Sequence, residues 1–225
     1  MQGPMDPRPY DDAVLPGVGP HPPPWPDDPR LDPELLAAGD HRNVVDQYRY
    51  WSMEAIVADL DTRRMPFHVA VENWKHDLNI GTVVRNANAF LAAAVHIVGS
   101  RRWNRRGAMV TDRYQHVIHH PDFDDLHAWA VAEQLPLVGI DLVPGSQPLP
   151  GASLPRRCIL VFGQEGPGLS AAARAACEPV LHIPQYGSTR SINAGVASGI
   201  AMYEWCRRWA PQKGSSQPPV RPSAP

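Results

Sequence analysis

Short apolar runs alternate with helix-period segments through the middle of this 225-residue chain. That alternation predicts an α/β fold, with a mostly parallel sheet covered by helices on both faces. Two further observations support it. Ile159-Leu160-Val161-Phe162 is apolar at every position, as a central parallel strand buried on both faces must be. Glycine- or asparagine-marked segments also stand where an apolar run ends and a helical pattern begins, the edge at which α/β domains bind ligands.

The elements follow in order. Residues 1–40 are proline-rich, densest at Pro22-Pro23-Pro24-Trp25-Pro26. Proline removes backbone donors and the stretch offers little to bury, so it reads as a disordered arm. Residues 41–66 read as a helical extension, with Asn43 capping a helix to about residue 60 through Val45, Tyr48, Trp51, Ala55, Ile56 and Leu60. Within a main domain at 67–210, strands are expected at 67–71, 95–98, 137–141, 159–162 and 180–183, with a short one at 117–119. Helices are expected at 80–90, 125–134, 170–177 and 192–209. Residues 211–225 read as a flexible tail.

Composition narrows the class. The net charge is −2 and the pI about 6.5, which argues mildly against nucleic acid, although a local patch outweighs the sum. Cys158, Cys177 and Cys206 are far apart, odd in number and without zinc spacing, so neither a disulfide framework nor a thiolate metal site is expected. There is no signal pattern and no apolar run long enough to span a bilayer, which points to the cytoplasm.

Three segments carry the chemistry. In Asn79-Ile80-Gly81-Thr82-Val83-Val84-Arg85, Asn79 can cap a helix, Gly81 sits in its costly first turn, and Arg85 needs a partner on a largely apolar helix. Either a close backbone or a ligand would explain Gly81, and either a buried salt bridge or a substrate anion would explain Arg85. Phe162-Gly163-Gln164-Glu165-Gly166-Pro167-Gly168 follows the apolar strand, and its glycines allow a tight turn and close approach to a cofactor. It is neither a Walker loop nor G-x-G-x-x-G, so nucleotide-phosphate readings are weak. The third runs from Ile183-Pro184-Gln185-Tyr186-Gly187 to Ser191-Ile192-Asn193, where Ser191 can cap the last helix. Arg101, Arg102, Arg105 and Arg106 surround Trp103 and Asn104, with Arg113 and Tyr114 beyond, as either a solvated loop or a surface for phosphates and a splayed base. His116, His119, His120 and Asp122 match no common metal spacing.

Together the three segments resemble the motifs of the TrmH (SpoU) family of RNA ribose 2′-O-methyltransferases, within the SPOUT superfamily. The resemblance implies a C-terminal deep trefoil knot, a homodimer and S-adenosylmethionine as cofactor. It implies catalytic roles for Arg85, Asn79, Glu165, Ser191 and Asn193, and cofactor contacts from Gly163, Ile183, Ile192, Gln185 and Gly187. RNA would lie on Arg101, Arg102, Arg105, Arg106 and Arg113. Ile192 stands where the family has leucine. Ile200, Tyr203 and Trp205 offer a dimer surface or simple core packing. Neither a large RNA-binding domain nor a basic C-terminal helix accompanies the motifs. Transfer RNA is the expected substrate, with ribosomal RNA, or a non-catalytic RNA-binding protein on the same fold, as alternatives. No metal and no membrane are expected.

Overall fold

The computed structural model describes residues 17–73 and 79–211. Residues 1–16 of the expected arm and 212–225 of the expected tail lie outside the described residues. The chain divides into two compact units, 1–63 and 64–225.

In the first unit, residues 17–40, read above as part of a disordered arm, carry helix α1 (Pro33–Ala38) and pair Val18 with Asp40. Asp32 caps α1 by accepting from the Glu34 and Leu35 amides, and Pro33 sits where no amide is needed. Asp40 holds the unit together. It is fully buried, takes two bonds from the Arg42 guanidinium at 2.9 and 2.7 Å, and accepts the Tyr50 amide at 3.0 Å. The helix expected over 43–60 is corrected. A 3-10 turn (Asp46–Tyr48) is followed by Tyr50 at φ +63, and helix α2 (Met53–Asp61) starts afresh from a Ser52 cap. A left-handed residue cannot continue a right-handed helix.

The second unit is a seven-stranded, all-parallel sheet. Its strands are β1 (Phe67–Asn73), β2 (Val95–Gly99), β3 (Val117–His120), β4 (Leu137–Ile140), β5 (Gln147–Pro148), β6 (Cys158–Phe162) and β7 (Val180–His182), in the order β3-β2-β1-β6-β4-β7-β5. β6, the apolar run, is the central strand. β5 is two residues long and has no apolar signal in the sequence. Strand alternation divides the core. Phe67, Val69 and Val71 face helices α3 (Asn79–Ala89) and α6 (Ala194–Trp209), while Ala70 faces α4 (Phe123–Ala132) and α5 (Ala171–Ala176). α6 begins two residues later than expected. Its cap is Asn193, whose side-chain oxygen accepts the Val196 amide at 3.2 Å, and not Ser191. Trp205 is wholly buried with its ring 4.4 Å from that of Phe67, so it belongs to the core and not to a dimer surface. Ile200 and Tyr203 are exposed.

The α4 face holds a hydrogen-bonded row across three strands. His68 Nδ1 meets His96 Nε2 at 3.0 Å, His96 Nδ1 meets His120 Nε2 at 2.8 Å, and His120 Nδ1 meets Asp125 at 2.7 Å. A carboxylate only accepts, so His120 donates to Asp125 through Nδ1. Its Nε2 then accepts from His96, and His96 Nε2 accepts from His68. Trp129 packs over the row, 4.4 Å from the His96 ring. Burial pushes His68 down to about 4, aided by the Arg157 charge, and His96 down to about 3, aided by the neighbouring histidines.

Candidate active site

The C-terminal ends of the strands form the site. β1 leads towards Asn79, β6 runs directly into Gly163, and β7 runs into the segment ending at Asn193. Between β6 and β7 in the sheet lies β4, which delivers Asp141, Leu142 and Val143 to the same edge. The ends of β4, β6 and β7 and the segments that follow them line a cleft of about 440 Å³; Asn79 is not on its wall.

Gly163 makes its first wall. A Cβ there would lie 2.0 Å from the Gly168 carbonyl carbon and 2.2 Å from the Leu169 nitrogen, so no other residue fits. The loop closes on itself: the Gln164 amide donates to the Gly168 carbonyl at 3.0 Å, and the Gly168 amide returns the bond at 3.1 Å. Asp141 accepts the Leu169 amide at 2.9 Å, tying the loop to the end of β4.

The three sequence segments meet at Asn79, which is 9% exposed. Its Nδ2 donates to Glu165 Oε2 at 2.8 Å, and its Oδ1 accepts from Asn193 Nδ2 at 2.8 Å. These partners lie 86 and 114 residues away along the chain. Since Asn193 also caps α6, the helix start and the site share one side chain. Asn79 therefore does more than act as a simple helix cap.

Glu165, Ser191 and Asn193 line the cleft, as do Gly163, Ile183, Gln185 and Ile192. Gly187 does not; it lies beside Tyr186, which is 96% exposed. Arg85 is not on the cleft wall either. It projects from α3 into solvent with no side-chain hydrogen bond or ion pair among the described residues, which removes the buried salt bridge as its explanation.

The donor set suits a small polar cofactor with amine and hydroxyl groups. The side-chain oxygens of Gln164 and Gln185 are buried without a hydrogen-bond partner among the described residues, and both residues line the cleft. Orphaned acceptors of this kind ask for N–H donors, and the glycine turn lets a ligand approach main chain. Gln164, Asp141, Leu142, Val143 and Arg190 also line the cleft but were not singled out from the sequence.

Arg101, Arg102, Arg105, Arg106 and Arg113 are all exposed. They sit on and beside two 3-10 turns, Arg105–Ala108 and Thr111–Arg113, the first capped by Asn104. Arg105 lies 5.5 Å from the Trp103 ring and pairs with Asp112 at 3.3 Å. Gly81 is explained by this loop: a Cβ on it would sit 2.7 Å from the Ala108 nitrogen and 2.8 Å from Gly107 Cα. It is the close backbone, and not a ligand, that requires glycine. The histidines near β3 go separate ways. His119 bonds the Gly99 carbonyl at 2.8 Å, His120 joins the row under Trp129, and Asp122 caps α4.

Comparison with known proteins places this geometry. The chain is 31% identical over 200 residues to an uncharacterized tRNA/rRNA methyltransferase of Mycolicibacterium vanbaalenii, covering 80% of this chain and 60% of that one. It is 28% identical over 204 residues to an uncharacterized tRNA/rRNA methyltransferase of Synechocystis, covering 85% and 51%. The chain thus spans between about half and 60% of the length of these relatives. Among solved structures, it resembles the SpoU methyltransferase AviRb from Streptomyces viridochromogenes in complex with AdoMet, with a TM-score of 0.58 and 25% identity over 66% of this chain and 60% of that one. It also resembles a protein solved for insight into 2-OH methylation of C/U34 on tRNA, with a TM-score of 0.55 and 26% identity over 64% of this chain and 95% of that one. A model of the SpoU rRNA methylase family matches residues 66–203, which include all three sequence segments, and the chain belongs to that family.

Proposed function

We propose that the protein is an S-adenosylmethionine-dependent RNA methyltransferase that modifies a ribose 2′-hydroxyl, with transfer RNA as first substrate. One observation carries the reading: Asn79 joins Glu165 and Asn193, two residues that line a cleft walled by a glycine turn. Support for the cofactor comes from the AdoMet-bound relative and from the orphaned amide oxygens of Gln164 and Gln185. Support for transfer RNA comes from the relative solved for 2-OH methylation on tRNA.

When bound, the cofactor supplies a methyl group on a sulfonium. Gly163, Ile183 and Ile192 would hold its adenosine, and Gln164 and Gln185 would accept its N–H groups. Arg85 presents a guanidinium to solvent, where a phosphate can take both arms of its fork. Its role is positioning and charge: it fixes the ribose in line and favours negative charge developing on O2′. It does not abstract the proton, because a guanidinium only donates hydrogen bonds and has no acceptor; the adjacent phosphate is the acceptor. The Asn79 bridge keeps Glu165 and the α6 start in register with this arginine, which lies on the same helix.

The proposal includes a homodimer, a trefoil-knotted C-terminal segment and a cytoplasmic setting. Val196, Ile200 and Tyr203 expose apolar surface at helical spacing along α6, as a partner subunit would require. No described helix is long and apolar enough to cross a membrane. The test is transfer of labelled methyl from S-adenosylmethionine to unmodified tRNA and, separately, rRNA, with analysis for 2′-O-methyl nucleosides and Arg85→Ala alongside. Incorporation into tRNA that the variant abolishes is expected. Incorporation into rRNA alone corrects the substrate, and cofactor binding without transfer to either refutes the activity.

A further inference from the structure

Asn73 is the last residue of β1 and is wholly buried. Nothing in its sequence context marks it. Its Nδ2 donates to two main-chain carbonyls of the neighbouring loop, Ser100 at 2.7 Å and Arg102 at 2.9 Å. Its own carbonyl accepts the Ser100 amide at 2.7 Å. Its Oδ1 is buried without a partner among the described residues. A buried amide with one unsatisfied end must be justified by its other end, and here that end only donates.

The carbonyls it holds belong to the loop bearing Arg101, Arg102, Arg105 and Arg106. The far end of the same loop is fixed differently. Gly107 and Ala108 lie against the first turn of α3, where the missing side chain of Gly81 leaves room for them. The loop is therefore pinned at both ends to groups flanking Asn79. Its four arginines are exposed while its backbone is anchored. Fixed backbone with exposed guanidinium groups is what a surface needs to place phosphates at a set distance from the cleft.

We propose that Asn73 is a positioning residue for RNA: it locks the arginine loop so that bound phosphates are in register with Arg85 and the cleft. This rests on the reading of the site as an RNA methyltransferase. Asn73→Asp is the sharpest variant, since it keeps the shape, removes both donors and sets a carboxylate against two carbonyl oxygens. Gly107→Ala attacks the other pin, because its Cβ would lie 3.0 Å from the Thr82 nitrogen.

The experiment measures three things on full-length wild type and both variants: amide hydrogen exchange, the Kd for S-adenosylmethionine, and the Kd for unmodified tRNA across a salt series. Faster exchange at 100–108 with unchanged exchange in β6 is expected for both variants. Cofactor Kd should stay within about two-fold, and RNA Kd should rise by about ten-fold. The salt slope should flatten by about one unit for each phosphate that is no longer neutralised. RNA Kd and salt slope equal to wild type, despite a loosened loop, would overturn the inference while leaving the function standing. Unchanged exchange in the loop would overturn it too. If Asn73→Asp fails to fold, Gly107→Ala decides by the same criteria. A wild type that binds cofactor but no RNA at any salt overturns the functional reading and this inference with it.

Discussion

Lowering the pH from 7 to 5 should unfold this protein far more readily than its carboxylates would predict. The cause is the row of buried histidines. Against an ordinary value of 6.5, His68 is pushed down to about 4 and His96 to about 3, so both stay neutral in the folded state across this window. In the unfolded chain both take a proton as pH falls through 6.5. A group depressed on folding contributes stability that is present above its unfolded pKa and lost as pH drops below it, so the sign is destabilising with acid. Each histidine loses about 2 kcal/mol between pH 7 and 5, about 4 kcal/mol for the pair, with a slope of about 2.5 kcal/mol per pH unit near pH 5.5. That is a large share of a typical domain's stability, and corresponds to a fall in Tm of about 10 °C. Asp40 is lowered to about 2 from 3.8 by its bonds to Arg42 and Tyr50, so its contribution fades only in stronger acid and leaves the window clear. Urea denaturation followed by circular dichroism, at half-unit steps from pH 7.5 to 5, measures the slope. His68→Gln keeps a donor towards His96 and removes one titrating group, so it should halve the slope. A wild-type slope below half a proton, or a variant slope equal to wild type, would refute the reasoning.

Other perturbations test the site and its supports. Asn79→Ala removes its hydrogen bonds to Glu165 and Asn193; methyl transfer should fall at least ten-fold while Tm drops by a few degrees, read in a single-turnover assay and a thermal melt. Arg85→Lys keeps charge without the fork and should lower kcat far more than cofactor affinity; near-wild-type turnover would dismiss bidentate phosphate binding. Gly81→Ala forces a methyl group to within 2.7 Å of the Ala108 nitrogen and should cost about 1–3 kcal/mol, measured by denaturant titration. Cys158 and Cys177 are buried, with their thiols pushed up to about 12, so a thiol reagent at pH 7.5 should leave both unlabelled until denaturant is added.

Much of the fold was legible because period and burial coincide. β4 and β6 are apolar runs buried at every position, and β1 and β2 are buried at nearly every position with mostly apolar residues, as parallel strands covered on both faces must be. What escaped was settled by contacts the local sequence does not encode. Residues 1–40 looked too poor in apolar residues to order, yet within residues 17–50 a single buried carboxylate, Asp40, ties the backbone together through hydrogen bonds. β5 pairs only through its backbone with β7. The histidines of β1, β2 and β3 sit far apart in sequence and become neighbours only once the strand register is known.

The site follows the same division. Gly163 stood out because glycine carries local conformational meaning, and Glu165 and Asn193 through the resemblance to the family's motifs. Asp141, Leu142 and Val143 carried no such signal, yet the topology demands them. β4 lies between β6 and β7, so any ligand that touches the ends of both must also pass the end of β4. Only the strand order, and not the motif spacing, contains that fact. The same logic reconciles a net charge of −2 with the proposed RNA substrate. Phosphates respond to charge within about a Debye length of 8–10 Å, not to the chain's total. The order β3-β2-β1 carries the loop after β2 to the side of the cleft where α3 begins, and Asn73 and Gly81 hold it there. Four exposed arginines on one loop anchored against the first turn of α3 give a local field that composition, averaged over the whole chain, conceals.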